Sequence, residues 1–265
     1  MEKSLEEIFR DLLIKKSEEF FNDFDKRESK SLDKIKKIVE KVVDFLIKKY
    51  KNKRRIDNTH NLQHFYNVLN YSLKIIKNEN LSMNEKEKLT LIVAILFHDI
   101  GLFFVEKPKD IEKSIEIFKK FYNELSNDER DLINEEEVIE AINSHSFKRN
   151  KKQKSLIAKI LYDSDKLDVL GAYGFYRVCI YNEGKKLLFN PKLDYLDYLL
   201  KLKTNQLSRE KCLEIFNDEV FVIDHYFTKI YWIKYKLNFE WSKKEAVKLE
   251  NQIERIILES LEIIK

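Results

Sequence analysis

Helix breakers are nearly missing from this 265-residue chain, which holds four glycines and two prolines. Hairpin turns and left-handed backbone depend on those residues. Their scarcity therefore argues against a fold of many short turns and predicts long helices in an all-α arrangement. Cysteine is as scarce. Cys179 and Cys212 stand in no metal-type spacing, so a disulfide framework is not expected and two reduced thiols are. No apolar stretch approaches the ~20 residues that span a bilayer, and Met1 to Glu7 carry no signal-peptide pattern. A cytoplasmic protein without membrane attachment is expected. An excess of one charge is missing too: 36% of residues are charged, yet the net charge is +4. Balanced charge of this kind solvates helix faces and does not make the whole chain a polyanion binder. Only five histidines occur, His60, His64, His98, His145 and His225.

Against that background one stretch stands out. Leu91 to Phe97 are seven uninterrupted apolar residues, and His98-Asp99-Ile100-Gly101 follow at once. A helix made of that run has no polar face and must be buried on nearly all sides. Its end delivers a histidine and an aspartate to the interior or to the floor of a cleft. A buried carboxylate is costly unless it is paired or binds a metal, and a neutral imidazole beside it completes a ligand pair. Gly101 is expected to act as a flexible stop for the helix.

The remaining segments read as amphipathic helices. Leu5, Ile8, Phe9, Leu12 and Leu13 follow helical spacing, and Leu32 to Ile47 form a clear apolar stripe. These first helices are candidates for a cap on the core or for a homodimer surface. The next helix is expected to open near Asn58 and Thr59 as caps. If it has begun by His60, His60 and His64 share one face. Residues 110–125 repeat the pattern, and Asn134 with Glu137 resembles a capping pair that starts a helix carrying Val138, Ile142 and His145 on its inward side. On one helix from Ile157 onward, Ile157, Ile160, Leu161, Ser164, Asp168 and Gly171 fall on a stripe, with Asp165 on its flank and Asp163 nearly opposite. Acids inside an apolar stripe break the binary pattern, as functional sites do. The aromatic residues from Phe216 to Trp241 read as core and packing surface.

Together, His64, His98, Asp99 and Asp165 make a set of two imidazoles and two carboxylates. Such a set suits Mn, Fe, Co, Ni, Zn or Mg with positions left open for water and substrate, provided the helices converge.

The order His64, His98-Asp99, Asp165, with its His-Asp-Ile-Gly centre, resembles the HD-domain superfamily of metal-dependent phosphohydrolases. Thr59-His60-Asn61-Leu62-Gln63-His64, Ile142-Asn143-Ser144-His145-Ser146-Phe147, Asp163-Ser164-Asp165-Lys166-Leu167-Asp168, Gly171-Ala172-Tyr173-Gly174 and Arg177 are similar to the YedJ/YpgQ-like group within it. The resemblance covers residues 57–182. It implies an HD-domain helical bundle with additional N- and C-terminal helices: an extension over 1–50, a core over 51–182 and C-terminal helices over 183–265, all within one structural domain. It also implies one divalent metal ion held by His64, His98, Asp99 and Asp165. The group usually has Asp where this chain has Asn61.

The function expected is metal-dependent hydrolysis of a nucleotide or other small phosphorylated compound. Asp99 would align the attacking water, with His145, Lys166 and Arg177 as further catalytic residues facing phosphoryl charge. His60, Asp168, Lys148 and Arg149 are candidates for substrate contacts or for supporting the ligands, and Asp168 is a candidate to orient a ligand histidine. Five cationic residues fill Lys148 to Lys154, directly after His145. That loop raises nucleic acid as a partner, and with it two alternatives: a nuclease acting on single strands, and a metal-binding regulatory module without turnover.

Overall fold

A computed structural model describes residues 3–22, 29–53, 61–181, 188–216 and 221–264. The described residues hold thirteen α-helices and no β-strand, the all-α outcome that the shortage of breakers predicts. In chain order they are α1 (Leu5–Glu18), α2 (Ser29–Lys51), α3 (Leu62–Asn78), α4 (Glu85–Phe97), α5 (Asp110–Glu124), α6 (Asn127–Arg130), α7 (Glu135–Ser144), α8 (Leu156–Val169), α9 (Gly171–Tyr181), α10 (Tyr195–Lys203), α11 (Arg209–Ile215), α12 (Asp224–Thr228) and α13 (Glu240–Ile264). The chain divides into two compact units, one ending at Asp165 and one beginning at Lys166. The first two helices belong to the first unit.

In the first unit α4 is the central element. It packs against α2, α3, α5 and α7, and every residue from Lys88 to Phe97 is buried. A helix with neighbours on all sides has no use for a polar face, which is the physical reason for the run Leu91–Phe97. Asn84 and Glu87 start it with a reciprocal capping box. The helix ends at Phe97 with His98 as its C-cap, and a 3-10 turn over Ile100–Phe103 follows.

Gly101 lies inside that 3-10 turn, after the helix has ended, and its role differs from the flexible stop expected. Its backbone does not use the left-handed region; among the described residues Gly171 is the glycine that does. A Cβ on Gly101 would lie 2.0 Å from the Asp110 carbonyl oxygen and 2.8 Å from the Ser114 nitrogen. The missing side chain lets the turn touch the backbone of α5, and Gly101 N–H donates to Ser114 Oγ at 2.9 Å. It is a close-packing glycine.

Two helix boundaries differ from expectation. The helix that carries His64 begins at Leu62 with Asn61 as its N-cap. Asn58, Thr59 and His60 lie outside the described residues. The stripe expected on one helix from Ile157 to Gly171 is divided, because α8 ends at Val169 and Gly171, at φ +79°, opens α9. A left-handed residue cannot continue a right-handed helix, so the glycine sets the break.

The second unit is built on α13, which packs against α9 and against a 3-10 segment over Ile230–Lys236. Gly171 meets Leu249 and Gln252 of α13. Glu250 and Glu254 of α13 are buried and both accept from Tyr226 Oη, while Lys234 and Lys203 supply the compensating charge.

Candidate metal centre

Three helices of the first unit bring four ligand atoms together. His64 comes from the first turn of α3, His98 and Asp99 follow the end of α4, and Asp165 comes from α8. One atom from each of the four lies within 4.8 Å of every other, and all four residues are buried. His64 Nε2 stands 3.0 Å from His98 Nε2. Asp99 Oδ2 is 3.5 Å from both of these nitrogens, and Asp165 Oδ1 is 3.7 and 3.9 Å from them. Metal–nitrogen and metal–oxygen bonds of about 2.0–2.2 Å place neighbouring ligand atoms roughly 3.0–3.6 Å apart around one ion. The donor set therefore fits a single divalent cation in both kind and spacing. Its charge would offset the two buried carboxylates, which nothing apolar nearby can do.

The orientation of the rings follows from helix ends. The last carbonyls of a helix have no partner within it. His98 is the C-cap of α4 and His145 the C-cap of α7. Each ring turns back and donates Nδ1–H to the carbonyl three residues earlier, His98 to Ile95 O at 2.7 Å and His145 to Ile142 O at 2.6 Å. With Nδ1 carrying the proton, Nε2 of each neutral ring presents a lone pair to the centre. Burial pushes the His98 imidazole down to about 4, against the opposing pull of Asp99 and Asp165. At neutral pH it is an uncharged ligand. At His98 and at His145 a backbone carbonyl takes the bond from the second ring nitrogen.

His145 points into the same place. Its Nε2 is 3.3 Å from Asp99 Oδ1, and its ring meets that of His98 edge-on at 5.1 Å. The two oxygens of Asp99 are divided, Oδ2 toward His64 and His98, Oδ1 toward His145. Phe65 closes one side, edge-on to His98 and to Phe103.

Two supporting features were not evident from the sequence. Asn61 Oδ1 accepts from His64 N–H at 3.3 Å, so the residue that departs from the group's usual Asp is the cap that fixes where the His64 helix begins. Its signal was present: Asn directly before Leu62 and Phe65, the first residues of the apolar period. Ser72 Oγ of α3 donates to Ser164 Oγ of α8 at 3.0 Å, and both side chains are fully buried. That bond ties the helix of His64 to the helix of Asp165 next to the ligand itself.

The other candidates are placed differently. His60 lies outside the described residues. Lys148 is exposed, and Arg149 is anchored to Glu112, Asn143 and the Pro108 carbonyl. Lys166, Asp168 and Arg177 belong to the second unit, where all three are buried. Arg177 Nη1 donates to Asp168 Oδ2.

Comparison with known proteins agrees with this geometry. Residues 61–170 match the HD domain family model, a span that contains every residue of the centre. A protein of Acanthamoeba polyphaga mimivirus, L803, described as uncharacterized, is 28% identical over 197 residues, 64% of this chain and 74% of its own length. Among solved structures, a Lactobacillus plantarum protein superimposes with a TM-score of 0.58 at 17% identity, covering 84% of this chain and 97% of that one. An HD-superfamily hydrolase from Bacillus thuringiensis gives 0.55 at 18% identity, covering 86% and 96%. Bacillus subtilis YpgQ, solved in complex with ADP, gives 0.50 at 15% identity, covering 83% and 94%. Residues 61–170 match an HD domain, and the chain shares the fold of these solved structures, Bacillus subtilis YpgQ among them.

Proposed function

We propose that the chain is a metal-dependent phosphohydrolase acting on a nucleotide or another small phosphorylated compound. The observation that carries this reading is the buried tetrad His64, His98, Asp99 and Asp165, whose ligand atoms all lie within 4.8 Å of one another. A divalent cation bound there supplies a water of lowered pKa and a counter-charge for a phosphoryl oxygen. The ADP bound by Bacillus subtilis YpgQ favours a nucleotide among phosphorylated substrates.

The chain's own part follows from the divided carboxylate of Asp99. Oδ2 serves the ligand set, while Oδ1, which faces His145 Nε2, would accept a hydrogen bond from the attacking water and align it on phosphorus. His145 holds its Nδ1 proton on the Ile142 carbonyl, so Nε2 is the atom that gains and gives a proton. Protonated there, it donates to a phosphoryl or leaving-group oxygen. Phe65 and the apolar end of α4 keep bulk water from the ligands, which strengthens each of these interactions.

The test is a panel of nucleotides and phosphoesters assayed with Mn, Ni, Co and Mg, for the natural chain and for Asp99→Ala. Loss of at least about a hundredfold in turnover is expected for the variant. Activity that survives Asp99→Ala unchanged overturns the mechanism. Bound metal with no turnover on any substrate would instead support a regulatory module.

A further inference from the structure

The structure brings together two basic segments that are far apart in sequence. Arg149 makes the join: Nη2 donates to the Pro108 carbonyl at 3.2 Å and to Glu112 at 2.6 Å, and Nη1 donates to Asn143 at 3.4 Å. Phe147 and Gln153 are buried, and Gln153 Nε2 donates to the carbonyls of Ser144 and Lys151 at 2.8 and 2.7 Å. The loop over 148–154 is therefore fastened from inside at 147, 149 and 153. What it turns outward is lysine. Lys148, Lys151, Lys152 and Lys154 are exposed, as are Lys107 and Lys109 on either side of Pro108.

The charge of these six lysines is not balanced locally. None forms an ion pair among the described residues, and the partner of Lys151 Nζ is the neutral amide of Asn143 at 2.8 Å. Several lysines elsewhere in the first unit are paired, as Lys34 is with Asp128, Lys41 with Glu129, and Lys113 and Lys120 with Glu116. Of the acids nearby, Glu112 is occupied by Arg149, and Glu140 accepts from Ser155 Oγ and from the backbone of Lys154 and Ser155. Unpaired like charges on a fastened backbone repel one another and favour any polyanion that screens them.

We propose that this surface binds the phosphate backbone of a nucleic-acid strand. Lysines without an exposed aromatic among them contact phosphates and not bases, so binding is indifferent to sequence. A membrane is disfavoured because the two lysine segments offer no exposed large apolar or aromatic side chain to insert, Phe147 being buried. A protein partner is disfavoured because interface cores are depleted in lysine. The surface stands apart from the proposed hydrolysis, since it requires neither metal nor turnover. It lies close to the centre in the chain, with Lys148 three residues beyond His145, at most about 10 Å of extended backbone.

The experiment is fluorescence anisotropy of a labelled oligothymidylate with the full-length chain, in chelator so that no cleavage occurs, across a salt series. The variant K148Q/K152Q/K154Q is expected to bind at least about tenfold more weakly. It should also lower the slope of log affinity against log salt by about 2, since each lost contact on a single strand contributes roughly 0.7. K107Q/K109Q is expected to weaken binding in the same direction, which ties both segments to one surface. K37Q/K119Q/K244Q, exposed lysines of α2, α5 and α13, changes the net charge as much as the triple does and should leave affinity within about twofold. Melting midpoints read alongside report folding. No binding by the natural chain at low salt, an equal effect of the control triple, or binding to phosphatidylserine vesicles alone overturns the proposal.

Discussion

His98 and His145 reach the centre by the same device, a helix C-cap whose ring satisfies a carbonyl behind it and presents Nε2 ahead. The device has a consequence for pH. His98 is held down to about 4 by burial, while in the unfolded chain it takes up a proton near 6.5. Between those values the unfolded state binds more protons than the folded one. Stability is then fully present above pH 6.5 and is lost as the pH falls toward 4. The melting midpoint of the metal-free protein is expected to drop across that window, and to drop less in His98→Asn. A midpoint that stays level from neutral pH to the acid end removes this account. The tetrad was legible in the sequence because each member interrupts an apolar pattern: His98-Asp99 ends an apolar run, and Asp165 flanks a stripe. Asn61 was less legible, since Asn58, Thr59 and Asn61 are all capping residue types and position alone decides among them. The ring orientation was not legible, because it depends on carbonyls that every sequence possesses.

At the scale of elements, α4 was the clearest feature of the sequence, since a run with no polar face has one solution, enclosure by other helices. Gly101 was misread for a physical reason. A glycine after a helix looks like a stop, whereas here it serves an approach between segments that only the fold brings together. Gly101→Ala puts a methyl group 2.0 Å from a backbone oxygen of α5, which cannot move aside as a side chain would. A loss of about 3 kcal/mol or more in unfolding free energy is expected, measured by urea denaturation. An effect under half a kcal/mol would mean that the turn and α5 part easily. The break between α8 and α9 is the converse case. Periodicity carried one stripe through to Gly171, and the left-handed conformation of that single residue ended it.

At the scale of the molecule, the four ligands are spread from His64 to Asp165, essentially the length of the matched HD domain. An unfolded chain does not hold them together, so a cation that binds the folded centre stabilises the fold by mass action. At a metal concentration a hundred times its dissociation constant the gain is about 2.7 kcal/mol. The melting midpoint is expected to rise by several degrees with Mn or Ni, and the rise should vanish in His64→Ala and Asp165→Ala. An equal rise in those variants places the metal elsewhere. Class and centre were readable at this scale because helix period and interruption are local signals. The division at Asp165, the pairing of Arg177 with Asp168 and the meeting of two lysine segments were not, because each depends on contacts between residues whose spacing follows no period.

The enclosure of α4 also bears on how firmly the centre is held. Two of the four ligands hang from the end of the helix with neighbours on every side. Such a segment opens only when the elements around it do, because its neighbours must move first. His98 and Asp99 are therefore carried by a well-protected part of the first unit, and hydrogen exchange of the α4 amides is expected to follow the opening of that unit as a whole.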